Sequence, residues 1–298
     1  PRGLSKMKLL MESWREFIKE QGEEDYEASQ RPVLADLINK EYKDFVASLQ
    51  KQIQDPKFQK FLKMGIEKYD GNSQDDELSV EEVDIPVKDL YPTQSQIGLA
   101  DSLGGTSKNN PAGAGTTAGL GTGAADVGGR IITANGKFIV DGHHRWSQVA
   151  LLNPEAKIPA YNFKVGFKGR GGSGKSALKL AHLAIAAVDD AVPLQPADAA
   201  TDVYATGGDP DSIKKILDNP KVVGEKMASI LEKTWRLSSR EEVIARLAEN
   251  AIALYGRTKS SAAKGPERGL MPQTAAVSGA EEKMKAMSQG AVNWNPKA

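Results

Sequence analysis

The stretch "RIITANGKFIVDGHHRWSQVALLNP", residues 130–154, carries the clearest local structural signal in the chain. Two apolar runs flank Asn135 and Gly136, a dipeptide that readily adopts the positive φ angles of a type I′ hairpin turn. The second run, residues 137–140, reads as a strand that pairs with the first. The stretch therefore predicts a β-hairpin, and the rest of the fold is assigned outward from it.

The residues after the hairpin predict a sharp turn from a strand into a helix. The strand ends in Asp141 and Gly142, and a helix is predicted from about Arg145 to Leu152. The first N–H groups of a helix lack intrahelical acceptors and lie at the positive end of its dipole, so such a junction binds anions, most often phosphate. Gly142 lets the backbone approach a ligand closely, and the Arg145 guanidinium can bind two phosphate oxygens. We therefore predict a phosphate site at this turn.

Three further side chains of the turn suggest chemistry. His143 and His144 can donate to phosphate when protonated, and either can shuttle a proton near neutral pH. Asp141 can cap the helix, hold a Mg²⁺ ion that bridges phosphates, or act as a base. A transition metal held by both histidines is disfavoured because adjacent side chains diverge and cysteine is absent. The catalytic candidates are Asp141, His143 and His144, and the metal candidate is Asp141.

Composition narrows the class of protein. The chain has 298 residues, 39 basic and 39 acidic, so no net charge draws it to nucleic acid or to an anionic membrane. The absence of cysteine excludes disulfides, thiolate metal sites and cysteine nucleophiles. No apolar run is long enough to span a bilayer, so we expect no membrane association.

Apolar periodicity predicts an α+β protein with helices at both ends. Residues 6–20 read as an amphipathic helix followed by a linker, and Pro32 to Tyr69 as a helical hairpin. Nine glycines among residues 101–130 predict a mobile loop, either a plain insertion or a lid over a ligand. The predicted boundaries are 1–30 for the leader helix and linker, 31–79 for a helical region, 80–168 for the core with its Gly-rich insertion 101–130, 169–257 for a helical domain, and 258–298 for an extended tail.

The order of these elements resembles a known family. The stretch "VDIPVKDLYPTQSQI" (residues 83–97), the hairpin, "FIVDGHHRWSQVALL" (residues 138–152) and a final strand look like the ParB/sulfiredoxin-like fold. The DGHHR form is similar to the ParB-like branch that includes free serine kinases and ParB-like proteins of tailed phages. The resemblance covers roughly residues 80–165.

The resemblance implies nucleotide binding, with ATP, ADP or CTP and Mg²⁺ as the expected ligands. Its phosphate-binding residues fall on Asp141, Gly142, His143, His144 and Arg145. In the partition proteins of the family a nearby glutamine contacts the nucleotide, which implies the same role for Gln94 or Gln96.

Two departures from the family limit the chemistry. Sulfiredoxins use a nucleophilic cysteine in this turn, and the lack of cysteine excludes that reaction here. The serine kinases carry a catalytic glutamate where this chain has Thr93, Gln94 and Gln96, and glutamine cannot act as a general base. The C-terminal helices also show no basic recognition helix for DNA.

A second phosphate-binding pattern, "GRGGSGKS" at residues 169–176, matches the P-loop consensus. The acidic run "LAIAAVDD", residues 183–190, follows too closely to lie on the separate parallel strand that a P-loop domain requires. Alternatively, the segment is a flexible basic loop, or Arg170 and Lys175 add positive charge beside the DGHHR turn.

Residues 7–20, "MKLLMESWREFIKE", resemble the leader of internal head proteins of large tailed phages, which is cut after a residue such as Glu20. An ordinary docking helix is the alternative.

We expect a nucleotide-binding protein with NTP hydrolysis or phosphotransfer, in the host cytoplasm or the capsid interior. The alternatives are a non-enzymatic virion or DNA-associated protein that contacts DNA or head proteins, a ParB-like nuclease, and a P-loop NTPase.

Overall fold

The computed structural model describes residue 22 and residues 28–67, 78–165, 174–194 and 206–273. The predicted leader helix and residues 166–173 of the basic loop lie outside them. Within them the chain has an α+β architecture in which helices cover a five-stranded mixed sheet, as predicted for the fold class.

The sheet has the order β1-β5-β3-β4-β2. Strand β1 pairs antiparallel with β5, β3 pairs parallel with β5 and antiparallel with β4, and β2 pairs parallel with β4. The strands are β1 (Leu78–Pro86), β2 (Tyr91–Pro92), β3 (Ile131–Ala134), β4 (Phe138–Asp141) and β5 (Lys157–Val165).

The predicted hairpin forms between β3 and β4. Asn135 and Gly136 have φ angles of 53° and 61°, and the N–H of Lys137 donates to the carbonyl of Ala134 at 3.0 Å. Positive φ at both central residues is the signature of the type I′ turn, so this prediction is confirmed.

Helices precede, interrupt and follow the sheet, and the predicted N-terminal hairpin is instead three short helices. No helix in the described ranges is long and apolar enough to cross a membrane. The helices are α1 (residues 28–39), α2 (Tyr42–Gln52), α3 (Pro56–Glu67), α4 (Leu99–Asn109), α5 (Pro111–Gly119), α6 (His143–Leu152), α7 (Gly174–Asp189), α8 (Pro210–Leu217), α9 (Glu225–Trp235) and α10 (Arg240–Ala262).

Both faces of the sheet are buried. Successive side chains of a strand point to opposite faces, so Ile132 packs with the apolar residues of α2, α3 and α7, whereas Ile131 packs with α6 on the other face. Trp146 of α6 is fully buried there, and its indole N–H donates to the carbonyl of Val87 at 2.9 Å. This contact fixes α6, and with it the turn at its beginning, against the sheet.

The prediction of a mobile glycine-rich loop is wrong, because residues 101–130 contain most of α4 and all of α5. Two of these glycines, Gly104 and Gly115, allow close packing instead. A Cβ atom at Gly115 would lie 2.3 Å from Cγ2 of Ile230 on α9, and one at Gly104 would lie 3.3 Å from the carbonyl oxygen of Lys221. Glycine counts alone cannot distinguish this use from flexibility.

The predicted extended tail from residue 258 is also wrong for residues 258–273. Helix α10 continues to Ala262, since Thr258 is buried and its hydroxyl donates to the carbonyl of Leu254 at 2.6 Å. Residues 263–273, named the C-terminal segment below, then fold back onto the core. Met271 is buried, and the N–H of Gln273 donates to the carbonyl of Pro193 at 3.0 Å. Residues 274–298 lie outside the described ranges.

Candidate functional site

The DGHHR run forms the predicted strand-to-helix turn. Strand β4 ends at Asp141, Gly142 is the N-cap, and α6 begins at His143, two residues earlier than predicted. The first helical hydrogen bond runs from the N–H of Trp146 to the carbonyl of Gly142 at 2.9 Å. The N–H groups of residues 143–145 therefore have no acceptor among the described residues, and no side chain caps the helix.

Gly142 is required by the geometry of this turn. Its φ angle of 90° lies in the left-handed region, which residues with a side chain rarely adopt. A Cβ atom there would lie 2.5 Å from Cγ2 of Ile131 in β3. Only glycine allows α6 to begin this close to the sheet.

A cavity of about 240 Å³, named the turn cavity below, opens at the turn. It is enclosed by the DGHHR run on one side and by the C-terminal segment on the other. Its lining residues are Gln94, Val140, Asp141, Gly142, His143, His144, Arg145, Arg268, Met271 and Pro272.

Arg268 is a functional candidate that the sequence did not reveal. Its guanidinium donates to Nε2 of His144 at 3.3 Å, and its Nε atom is buried without a hydrogen-bond partner among the described residues. A buried donor without an acceptor is costly, so such groups are usually satisfied by water, an ion or a ligand. Arg268 also lines the turn cavity, so an anion bound there would meet its guanidinium group.

Arg145 is only partly available to a ligand. Its NH1 donates to the carbonyl of Arg130 at 2.9 Å, and its NH2 lies 3.6 Å from Oδ2 of Asp141. These contacts hold the guanidinium at the cavity wall, and its remaining N–H groups can still meet an anion. The pair also means that Asp141 is not an unopposed negative charge in the cavity.

His143 serves to position the turn, and the predicted role as a proton shuttle or protonated donor is corrected. The ring is buried, and its Nε2 accepts a hydrogen bond from the N–H of Thr93 at 3.1 Å. Burial, helped by the nearby His144 and Arg268, lowers the pKa of His143 to about 3. The ring is therefore neutral at pH 7 and joins the residue after β2 to the start of α6.

His144 faces the cavity and belongs to a polar network. Its Nε2 accepts from Arg268, and its Nδ1 lies 3.4 Å from the hydroxyl of Ser102, which lies 2.5 Å from the hydroxyl of Ser147. Burial and then the Arg268 charge lower the pKa of His144, although Asp101 and Asp141 oppose this. His144 is therefore a neutral group that orients Arg268.

Of the two glutamines predicted at the site, only one lines the turn cavity. Gln94 is buried and lines the turn cavity, and its side-chain amide donates to the backbone carbonyl of Gln96. Gln96 has an exposed side chain and does not line the cavity, so only Gln94 keeps its predicted role as a ligand contact.

Among the described residues, Asp141 is the only carboxylate that lines the turn cavity. No group of three or more histidine, aspartate or glutamate side chains in the described part of the chain could hold a metal ion. Asp141 can supply one oxygen to Mg²⁺, which prefers oxygen ligands and often takes the others from phosphates and water. The donor set therefore fits Mg²⁺ only together with a phosphate ligand.

The P-loop pattern does not form a second site of its kind within the described residues. Lys175 and Ser176 lie in the first turn of α7, and residues 183–189 lie in the same helix. The acidic run is therefore helical, as its short distance from Ser176 suggested, and it is not on a parallel strand. Lys175 lines a separate cavity beside Thr93, and Arg170 lies outside the described residues.

Comparisons of the chain with protein-family models, with curated proteins and with solved structures found no match.

Proposed function

We propose that this protein binds the phosphate groups of a nucleotide, ATP, ADP or CTP, in the turn cavity. The observation that carries the proposal is that several hydrogen-bond donors without an acceptor belong to residues that line the turn cavity. The N–H groups of residues 143–145 and the buried Nε of Arg268 all lack acceptors among the described residues, and Arg145 lies beside them. A phosphate provides several acceptor oxygens and the negative charge that these groups favour.

The charge balance of the cavity supports an anionic ligand. Arg145 and Arg268 oppose the single carboxylate of Asp141, and both lining histidines are neutral at pH 7. The positive end of α6 adds to this field at the point where the N–H groups lie open. Charge-assisted hydrogen bonds to guanidinium groups are about twice as strong as neutral ones.

The size of the cavity limits which part of the nucleotide enters it. A volume of about 240 Å³ lies below the ~300–1,000 Å³ of common small-molecule sites. We infer that the phosphates occupy the turn cavity and that the nucleoside lies at its mouth. Gln94 is placed to contact the ligand at the cavity wall.

The histidines favour binding over proton transfer. His143 already accepts a hydrogen bond from a backbone N–H, and His144 already accepts one from Arg268. Neither is placed to hold an extra proton near pH 7, so the non-enzymatic alternative is preferred to phosphotransfer through these rings. Asp141, with Mg²⁺ and phosphate, remains the proposed group for any turnover.

Membership of the ParB-like branch is part of the same proposal. The DGHHR turn at the end of β4, preceded by β1 and the hairpin and followed by β5, is the arrangement that the sequence resemblance implies. A role in a phage head or with DNA stays a proposal that rests on the resemblance.

Isothermal titration calorimetry with ATP, ADP and CTP, with and without Mg²⁺, tests the proposal. Arg268→Gln removes the unsatisfied donor, so we expect nucleotide affinity to fall about tenfold or more. Arg246→Gln is the matched control, because that guanidinium lies 4.9 Å from the ring centroid of Trp235 and does not line the cavity. Failure of all three nucleotides to bind the wild type, or equal affinity in Arg268→Gln, would overturn the proposal.

A further inference from the structure

A second and larger cavity lies on the other side of the Thr93–Gln94 backbone. Its volume of about 490 Å³ falls within the range of small-molecule sites. We call it the lysine pocket. Its lining residues are Tyr91, Pro92, Thr93, Lys137, Phe138, Gly174, Lys175, Ser260, Ser261, Lys264 and Gly265.

The described lining of the lysine pocket is positively charged. It contains three lysines and no acidic residue. Lys175 and Lys264 are exposed, and neither has an ion-pair partner among the described residues. Lys137 instead lies over aromatic rings, with its Nζ 5.4 Å from the ring centroid of Tyr91. An anionic group entering the pocket would therefore meet two unpaired cations.

The lysine pocket also has apolar lining residues. Tyr91, Pro92 and Phe138 lie at the paired ends of β2 and β4, and Nζ of Lys137 lies 5.4 Å and 5.6 Å from the centroids of the two aromatic rings. Ser261 is not a free donor, since its hydroxyl donates to the carbonyl of Pro92 at 2.8 Å. This combination suits a ligand with one flat or apolar part and one anionic part.

The two cavities are separate binding sites while the C-terminal segment is in place. Gly265 packs directly on the chain between them, since a Cβ atom there would lie 2.3 Å from the carbonyl oxygen of Thr93 and 2.8 Å from Cα of Gln94. A single ligand therefore cannot reach from the lysine pocket into the turn cavity through this contact.

We propose that the lysine pocket binds a small phosphorylated molecule that carries an apolar or aromatic ring. Lys175 and Lys264 bind the phosphate, and the ring lies against Tyr91 and Phe138. This site is independent of the turn cavity and assigns a function to Lys175 of the P-loop-like pattern.

Phenyl phosphate is the probe, followed by calorimetry or by protein-detected NMR titration with the full chain. We expect Lys175→Gln and Lys264→Gln each to weaken binding roughly two- to fivefold, and the double variant about tenfold. Lys226→Gln, at an exposed lysine of α9 outside the pocket, should bind as the wild type does. Phenol, which lacks the anionic group, should bind more weakly than phenyl phosphate.

A further variant separates this site from the turn cavity. Arg268→Gln should leave the affinity for phenyl phosphate unchanged, because Arg268 does not line the lysine pocket. The proposal is overturned if phenyl phosphate does not bind the wild type. It is also overturned if the lysine double variant binds as tightly as the wild type, or if Arg268→Gln alone abolishes binding.

Discussion

The turn cavity and the lysine pocket lie on opposite sides of the Thr93–Gln94 backbone and present positive charge in different ways. In the turn cavity, Arg268 is held by His144 and Arg145 by the carbonyl of Arg130, and the first residues of α6 line the same space. In the lysine pocket the cations are exposed side chains on flexible stems. The first arrangement fixes donors in position before a ligand arrives, whereas the second supplies charge that must be ordered on binding.

This difference predicts different sensitivities to mutation. A preorganised site depends on the backbone that builds it, so changes at the turn should affect stability and binding together. A site built from exposed lysines should lose affinity in small steps and keep its stability. Four measurements test this contrast, in order of decreasing expected effect.

The largest effect is expected from Gly142→Ala. The left-handed φ angle and the clash with Ile131 should together lower the free energy of unfolding by roughly 2–5 kcal/mol. Gly174→Ala is the comparison at the lysine pocket, where the added Cβ would lie 3.0 Å from the methyl group of Thr93 and 3.5 Å from Cδ1 of Phe138. We expect a change within about 1 kcal/mol there. Urea unfolding measures the free energy of unfolding of both variants. Equal losses of stability would contradict the expected difference between the two sites.

Acid should destabilise the protein through its buried histidines. Burial lowers the pKa of His143 to about 3, so the unfolded chain takes up a proton more readily than the folded chain as the pH falls below 6.5. Stability is therefore lost on acidification, by about 2 kcal/mol from His143 alone between pH 7.5 and pH 5. His143→Gln, measured by urea unfolding at pH 7.5 and pH 5, should remove that share of the loss. An identical pH dependence in the variant would contradict the assignment.

Replacing Arg268 should separate stability from binding. Arg268→Met removes a buried, unpaired donor, so the free energy of unfolding should stay the same or rise, while affinity for ADP falls about tenfold or more. Urea unfolding and calorimetry on the same preparation measure the two effects. A loss of stability greater than about 2 kcal/mol would show that Arg268 has a structural role instead.

The smallest effect is expected from salt. Exposed charges are screened more strongly than partly buried ones, so raising the ionic strength should weaken phenyl phosphate binding at the lysine pocket by a few-fold. ADP binding at the turn cavity should weaken less. Titrations at low and high NaCl measure both affinities. A larger loss of affinity for ADP than for phenyl phosphate would contradict this expectation.

Local signals allowed much of the fold to be predicted from the sequence. Asn135 and Gly136 form the hairpin turn because both residues tolerate positive φ. Asp209 accepts a hydrogen bond from the N–H of Ser212, and Ser239 accepts one from the N–H of Glu242, so each of these side chains caps the helix that follows it, as such residues commonly do. Each of these features depends on residues within four positions of one another.

The missed features depend on contacts between distant parts of the chain. Gly115 reads as a loop residue until Ile230 of α9 is placed against it. Arg268 follows His144 by 124 positions, and no local pattern shows that the two side chains meet. The DGHHR run made one wall of the turn cavity predictable from the sequence. The other wall is the C-terminal segment, which reaches the cavity only through tertiary packing.

The most direct test of the central claim observes the backbone of the turn itself. In an amide NMR titration of the wild type with ADP, the N–H signals of residues 143–145 should show some of the largest chemical-shift changes. At an equal, sub-saturating ADP concentration the same signals should shift less in Arg268→Gln. If these signals do not move at an ADP concentration that saturates the protein, the phosphates do not lie at the start of α6 and the account is wrong.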